Sequence, residues 1–215
     1  MTPNPPPAPP APLPPPALTP TQSALVRLSA AIAAGVPEDI ARRAEGALQA
    51  DATPEQVYET ILQSYLFVGF PRAIEAFFAA RPVLEDRGGI PAAATPPDLA
   101  AQKRAGDALC GLVYGTNYER LLSTMRTLSP DLASWMILEG YGKTLSRPGL
   151  GPVEREYSIV AILTVTRMWR QLRSHAIGAV NVGGTRAGVR EAIVLCRHWC
   201  RDDVIADAFA VTGLD

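Results

Sequence analysis

The sequence predicts an all-α protein, and three observations support this prediction. Apolar residues recur at helical spacing, for example at Val57, Ile61 and Tyr65. The period-two alternation that is typical of half-buried strands is nearly absent from the chain. Helix start signals, in which a capping Thr or Ser precedes a Pro at the first helical position, occur at Thr53-Pro54 and at Ser129-Pro130.

The N-terminus has a composition of its own. The first 20 residues contain 11 prolines, and no charged residue precedes Arg27. Because proline fixes φ and lacks a backbone N–H, this segment cannot form a helix or a sheet ladder. We predict a disordered or polyproline-II tail over residues 1–20, which either stays solvated or binds a partner domain. It lacks the basic start and continuous apolar core of a secretory signal.

The rest of the chain is long enough for one large domain or two small ones. A net charge of −1 and a pI near 6.1 leave no broad basic field to attract nucleic acid. The apolar runs are much shorter than a membrane span. Three cysteines without paired spacing argue against a disulfide scaffold. We therefore expect a soluble cytoplasmic protein that binds neither nucleic acid nor a membrane.

An internal repeat divides the folded part of the chain. We interpret it as a duplicated helical unit, with an N-terminal copy over 21–85, a Gly-, Pro- and Ala-rich linker over 86–98, and a C-terminal copy over 99–215. Two such copies can pack about a pseudo-twofold axis, and leftover apolar stripes would drive oligomerisation. At an offset of 132 positions the identical residues are Gly46 and Gly178, Ala47 and Ala179, Thr53 and Thr185, Val57 and Val189, Glu59 and Glu191, Ile61 and Ile193, and Ala76-Phe77 and Ala208-Phe209.

Individual helices follow from start signals and breaks. In the N-terminal copy, a capping box starts a helix at Pro54, and Pro71 starts the next. Thr185 caps the corresponding helix of the C-terminal copy. A loop rich in Gly and Pro precedes a helix that begins at Val153. In the C-terminal copy, ahead of the part that aligns with the N-terminal copy, the predicted helices span 99–112, 118–128 and 131–141.

Glu156 and His175 are the first candidates for chemistry. They stand 19 positions apart at the two ends of a predicted helical hairpin, where a carboxylate and an imidazole can meet as an acid/base pair. At the repeat offset they face Ala24 and Arg43, so only the C-terminal copy carries the pair. The structural alternatives are a carboxylate that favourably meets its helix dipole and a core histidine that is satisfied by a carbonyl.

Arginines and cysteines supply the remaining candidates. The arginines form either a solvated face or, beside His175, a clamp for a carboxylate-bearing ligand. Cys196 and Cys200 share one helix face and are interpreted as core side chains, as is Cys110. His198 projects away from Cys196 and Cys200, so we predict no metal site. The arginines close to the pair in sequence are Arg155, Arg167, Arg170 and Arg173.

An ordered series of motifs runs through residues 106–214. It comprises Gly106, Tyr114-Gly115, Tyr118, Pro130-Asp131-Leu132, Tyr141-Gly142, Arg147-Pro148-Gly149-Leu150, Arg155-Glu156, Gln171-Leu172-x-Ser174-His175, Gly178-Ala179 and Thr185-x-x-x-Val189-x-Glu191. This series resembles the carboxymuconolactone decarboxylase family of the alkylhydroperoxidase D-like superfamily. The N-terminal copy resembles it more weakly, through Gly46-Ala47, Thr53-x-x-x-Val57-x-Glu59 and Tyr65…Gly69-x-Pro71. The resemblance implies an alkylhydroperoxidase D-like helical fold of two tandem repeats, a trimer or hexamer, and no cofactor.

The resemblance also implies two contrasting activities. In the peroxidase branch the site resembles Glu-x11-Cys-x2-Cys-x3-His, but here Met168 and Gln171 occupy the cysteine positions. A peroxiredoxin-type reductase is therefore disfavoured, because peroxide attack needs a thiolate.

The second implied activity is a cofactor-independent carboxy-lyase that acts on a small carboxylated lactone or related acid. His175 would deliver the proton, and Glu156 would orient the imidazole. Arg155, Arg173 and Gln171 would bind the substrate. The non-enzymatic alternative is an oligomeric small-molecule binder or scaffold.

Overall fold

The computed structural model describes residues 16–92, 95 and 98–214, and none of these residues lies in a strand. The all-α prediction is confirmed. The predicted tail lies outside the described residues as far as residue 15. A π-helical segment, Met136–Leu145, continues α6. The helices are α1 Pro20–Ala34, α2 Pro37–Gln49, α3 Pro54–Glu85, α4 Leu99–Tyr114, α5 Tyr118–Leu128, α6 Pro130–Trp135, α7 Pro152–Val165, α8 Trp169–Asn181, α9 Arg186–Leu195 and α10 Asp202–Thr212.

Capping side chains determine where several helices begin. At α3 the Thr53 hydroxyl accepts from the Gln56 N–H at 3.1 Å, and the Gln56 side chain accepts from the Thr53 N–H at 2.9 Å. This is the capping box that the sequence predicts. The helix predicted from Pro71 is confirmed as the second part of α3, because Gly69, with a φ of 78° and a ψ of 165°, is not helical and separates it from the part that begins at Pro54.

Helix starts recur at the spacing of the sequence repeat. The equivalent helices α1 and α7 pack against each other, and the equivalent residues Gln22 and Glu154 meet with an N–O distance of 2.8 Å. Contact between equivalent residues is what a twofold arrangement produces. We call α1–α3 the first unit and α7–α10 the second unit. The starts of α1, α2 and α3 at Pro20, Pro37 and Pro54 lie 132 residues before those of α7, α8 and α9 at Pro152, Trp169 and Arg186.

Each unit completes the core of the other. Leu18, just before α1, is buried in the hydrophobic cluster of the second unit and α4. Leu150, at the equivalent place before α7, is buried in the cluster of the first unit. Glu191 on α9 holds Leu18 in this position, because its carboxylate accepts a hydrogen bond from the Leu18 N–H at 3.1 Å. The two units are therefore interlocked through their cores. Within the described ranges, no helix is long and apolar enough to cross a membrane.

Two glycines allow α4 to cross the π-helical segment closely. A Cβ on Gly106 would lie 2.3 Å from the carbonyl oxygen of Ile137, and a Cβ on Gly142 would lie 2.2 Å from that of Gln102. Both obstacles are backbone atoms, which cannot move aside as a flexible side chain can. This crossing sets the position of Tyr141, which the π-helical segment carries.

Substituting Gly106 by Ala should therefore destabilise the protein although alanine favours helices. We expect Gly106→Ala to lower the free energy of unfolding by about 1–3 kcal/mol, because the added methyl group overpacks the crossing. Gly111→Ala on the same helix is the control, because a Cβ there meets nothing within 4 Å. That control should be neutral or stabilising by up to about 1 kcal/mol. Urea denaturation followed by circular dichroism measures both, and equal stability of the two variants would contradict the analysis.

Candidate active site

Helices α7 and α8 bring Glu156 and His175 together. Both side chains are buried, with exposed fractions of 3% and 7%, and Nδ1 of His175 lies 2.8 Å from Oε2 of Glu156. A carboxylate only accepts, so Nδ1–H donates and the tautomer is fixed. Nε2 has no hydrogen-bond partner among the described residues. The imidazole thus has one nitrogen held by the carboxylate and one nitrogen available to a ligand.

A glycine makes this approach of the helices sterically feasible. A Cβ on Gly178, three residues after His175, would lie 2.6 Å from Cγ1 of Val113 and 3.1 Å from Oε2 of Glu156. The Gly-Ala motif that the sequence repeats therefore has a packing role here. Asn181, one turn further along α8, donates to the Val113 carbonyl at 2.8 Å and ties α8 to α4.

Aromatic rings enclose the imidazole. The ring of Phe67 lies edge-on to His175 with centroids 5.7 Å apart, and Tyr114 lies at 6.4 Å. Tyr141 in turn contacts Tyr114 at 6.3 Å. Phe67 comes from α3, so both units contribute to the site.

Sequence reasoning did not assign these aromatic residues to the site. In the sequence, Tyr114 and Tyr141 are marked only as parts of the motif series, and Phe67 belongs to none of its motifs. One sequence signal could have found Phe67, because an aromatic residue, Trp199, stands at the same offset in the second unit.

The groups around the pair are uncharged at neutral pH. Burial raises the pKa of the Tyr114 hydroxyl to about 12 and that of the Cys110 thiol to about 12, with Glu156 adding to both increases. Burial also raises the pKa of Tyr141 well above its usual value. These groups therefore keep their protons, and they offer neutral O–H and S–H groups beside one carboxylate.

Arg155 lies in a buried ion pair and not beside His175. Its Nη2 donates to Glu59 Oε2 at 2.8 Å, its Nη1 to Gln63 Oε1 at 3.2 Å, and its Nε to the Leu150 carbonyl at 3.2 Å. Arg147 also pairs with Glu59, at 2.8 Å. All three guanidinium nitrogens of Arg155 are thus engaged, and Nη1 and Nη2 join α7 to α3.

The other two predicted substrate-binding residues are exposed on α8. Gln171 lies one turn before His175 and on the same side of the helix, whereas Arg173 projects from a different side. Gln171 thus lies on the side of α8 that carries His175, at the protein surface. Arg173 lies at the surface on a different side of the helix. In the described part of the chain, no group of three or more His, Cys, Asp and Glu side chains could hold a metal ion.

The equivalent place in the first unit is filled differently. Arg43 stands where the second unit has His175, and its guanidinium lies 5.1 Å from the ring centroid of Trp199, the equivalent of Phe67. Trp199 donates to Asp39 at 2.8 Å. The first unit therefore keeps the contact between an aromatic ring and a cationic or imidazole side chain but carries no acid/base pair.

These features define an all-α protein of two interlocked helical units with one buried Glu–His pair. Comparison with known proteins extends this description. Residues 12–82 match a family model described as the carboxymuconolactone decarboxylase family. The chain is also 31% identical over 185 residues to "Peroxisomal protein 2" of Schizosaccharomyces pombe, an alignment that covers 81% of this chain and 84% of that protein. The chain belongs to the carboxymuconolactone decarboxylase family. The matched segment contains the first unit except the last three residues of α3, whereas the motif series is densest over 106–214.

Removing Glu59 should destabilise the fold strongly. Glu59→Ala leaves the buried guanidinium of Arg155 without its carboxylate, and we expect a loss of about 3–5 kcal/mol in the free energy of unfolding. Glu85→Ala is the matched control, since it breaks the exposed pair with Arg81 and should cost no more than about 1 kcal/mol. Chemical denaturation of both variants checks this. Similar losses would mean that the Glu59–Arg155 pair contributes no more than a surface contact.

The three thiols should differ in reactivity. Burial raises the pKa of Cys110 to about 12 and also raises that of Cys196, and both side chains are fully buried, whereas Cys200 is half-buried. Because the thiolate is the reactive form, we expect Ellman's reagent at mildly alkaline pH to label only Cys200 in the folded protein. Labelling of the other two should require denaturant. A Cys200→Ser variant that still reacts rapidly when folded would contradict this order.

Proposed function

We propose that the chain is a cofactor-independent carboxy-lyase whose proton carrier is His175. The observation that supports this most is the buried 2.8 Å contact between Nδ1 of His175 and Glu156, which leaves Nε2 available. A carboxylate in this position orients the imidazole and stabilises the imidazolium, as general acid/base catalysis requires. The proposed substrate is a small carboxylated lactone or a related acid.

The proposed reaction breaks the bond between a ring carbon and its carboxylate. The electron pair of that bond moves into the conjugated lactone carbonyl and gives an enolate, while CO2 leaves. Protonated His175 then donates its Nε2 proton to a carbon atom of the enolate. Solvent reprotonates the imidazole before the next cycle. Tyr114 and Tyr141, kept protonated by burial, would donate hydrogen bonds to the enolate oxygen.

Substrate recognition is proposed to involve the α8 surface. Arg155 was a candidate for binding a carboxylate, but its hydrogen bonds to Glu59 and Gln63 engage it elsewhere. Gln171, exposed one turn before His175 and on the same side of α8, is better placed and is our candidate for holding a substrate carboxylate. Arg173 projects from a different side of the helix and would contribute positive charge to the α8 surface rather than a direct contact.

A non-catalytic binder or scaffold is the second candidate function. His175 is only 6% exposed, so a substrate has a narrow approach to Nε2. The first unit also shows that this scaffold retains its packing without an acid/base pair. In this alternative, Glu156 and His175 stabilise the core or hold a ligand that is not transformed.

We also propose that the chain forms a homo-oligomer, a trimer or a hexamer. Leu128, Leu132 and Trp135 on α5 and α6 have exposed fractions of 70%, 50% and 60%, and exposed apolar patches of this kind mark interaction surfaces. Light scattering on the purified protein measures the assembly.

The proposed compartment is the cytoplasm, where the three free thiols would stay reduced. The name of the Schizosaccharomyces pombe relative makes the peroxisome the alternative. A fluorescent fusion imaged beside a peroxisomal marker separates the two.

Replacing His175 should lower turnover strongly, and circular dichroism checks that the variant, in which Glu156 loses its buried partner, remains folded. Ultraviolet absorbance follows the loss of γ-carboxymuconolactone, and we expect His175→Ala to lower kcat by about 10²–10⁴-fold because the proton donor is lost. Glu156→Gln should lower kcat less. His198→Ala is the control, because this other histidine of the chain is exposed on the surface and should leave the rate unchanged.

The outcomes separate the two candidate functions. Equal rates for the wild type and His175→Ala would eliminate His175 as the proton carrier. A folded wild-type protein that binds the lactone without converting it would favour the non-catalytic candidate.

A further inference from the structure

The outer part of α3 carries an apolar groove that neither the core nor the proposed active site uses. Phe78 and Ile74 have exposed fractions of 66% and 48%, and the Phe77 ring lies 5.2 Å from that of Tyr58. A contiguous exposed apolar surface usually marks a binding site. The groove has a volume of about 310 Å³ and is lined by Tyr58, Ile74, Phe77, Phe78, Arg81 and Ile90.

The second unit shows that the scaffold does not require this groove. The Arg190 guanidinium lies 4.8 Å from the ring centroid of Phe209 and covers the ring that corresponds to Phe77. The other apolar residues that line the groove correspond to small or charged residues in the second unit. At the repeat offset, Arg190, Ala206 and Ala210 stand where the first unit has Tyr58, Ile74 and Phe78. The enlarged apolar wall belongs to the first unit alone, which points to a ligand for that surface.

We propose that the groove binds the proline-rich segment of this chain, residues 1–15. Proline-rich segments dock into aromatic-lined grooves, because their rings pack on aromatic faces and their extended backbone loses little entropy on binding. Residues 1–15 contain nine prolines and no charged residue. The groove matches this chemistry, since its one charged lining residue, Arg81, is paired with Glu85 at 2.7 Å.

The length of the segment allows it to reach the groove. Its attachment point is fixed, because the Ala17 and Leu18 N–H groups donate to Glu191 on α9. Fifteen residues at about 3.1 Å each span roughly 45 Å in the polyproline-II conformation. A folded domain of this size has a radius of gyration of about 16 Å. This span is comparable with the diameter of such a domain, so the segment is long enough for a groove of its own chain or, in an assembly, of another copy.

Photo-crosslinking in the full chain tests the proposal. Asn4→p-benzoylphenylalanine places a crosslinker 13 residues before the anchored Ala17, and mass spectrometry locates its attachment. We expect crosslinks to the α3 peptide that contains Phe77 and Phe78. Phe78→Ala should reduce their yield about tenfold, the effect of removing a central aromatic anchor. Phe70→Ala is the matched control, because Phe70 is a 67% exposed phenylalanine of the same helix that lies outside the groove lining, and it should leave the yield unchanged.

The outcomes also identify which copy provides the segment. Crosslinked products of single-chain mass indicate docking within one chain, and products of double mass indicate docking between copies. Raising the salt concentration should leave the yield unchanged, since the segment carries no charge. Crosslinks scattered over the surface, or yields unaffected by Phe78→Ala, would overturn the proposal. So would a Phe78→Ala variant that dissociates an assembly while the crosslinks persist elsewhere, since the groove would then be a self-association surface.

Discussion

Two adjacent buried charges on α7 impose the constraint on which this structure depends. Arg155 and Glu156 begin the stretch of α7, from Arg155 to Thr164, in which every residue is buried. Neither charge is tolerated in the interior without a partner. Because neighbouring residues on a helix point about 100° apart, the two side chains need partners in different directions. Arg155 finds Glu59 on α3 at 2.8 Å, and Glu156 finds His175 on α8 at 2.8 Å. The structural ion pair thus fixes the rotation of α7 and thereby aims the carboxylate of the candidate site.

The paired units explain why a helical scaffold of this kind can carry a single site. Each unit inserts a leucine, Leu18 or Leu150, into the core of the other. Each unit also presents an aromatic ring to the helix of its partner. Phe67 meets His175, and at the equivalent place Trp199 meets Arg43. The aromatic contact is therefore present with either an imidazole or a guanidinium group. The packing role of the position that His175 and Arg43 share is thus separable from the acid/base role of His175.

Local signals predicted the fold better than they predicted the surroundings of the site. Capping residues such as Thr53 act within one turn, so the start of α3 could be predicted from the sequence alone. The π-helical segment could not, because it depends on the close approach of α4 at Gly106 and Gly142. For the same reason, the approach of Tyr114 to His175 had no local signal. The spacing of the motifs marked Arg155 as a neighbour of Glu156, but only the tertiary structure determines that it faces Glu59.

The charge distribution around His175 restricts what the proposed site would bind and how. Tyr114, Tyr141 and Cys110 keep their protons at neutral pH because burial raises each pKa. Glu156 therefore balances an imidazolium but would repel a second carboxylate that entered beside it. With Arg155 engaged by Glu59, a substrate would place its carboxylates towards the exposed side of α8 and its reacting carbon towards Nε2. The low exposure of His175 then favours a small, flat ring that fits between Phe67 and Tyr114.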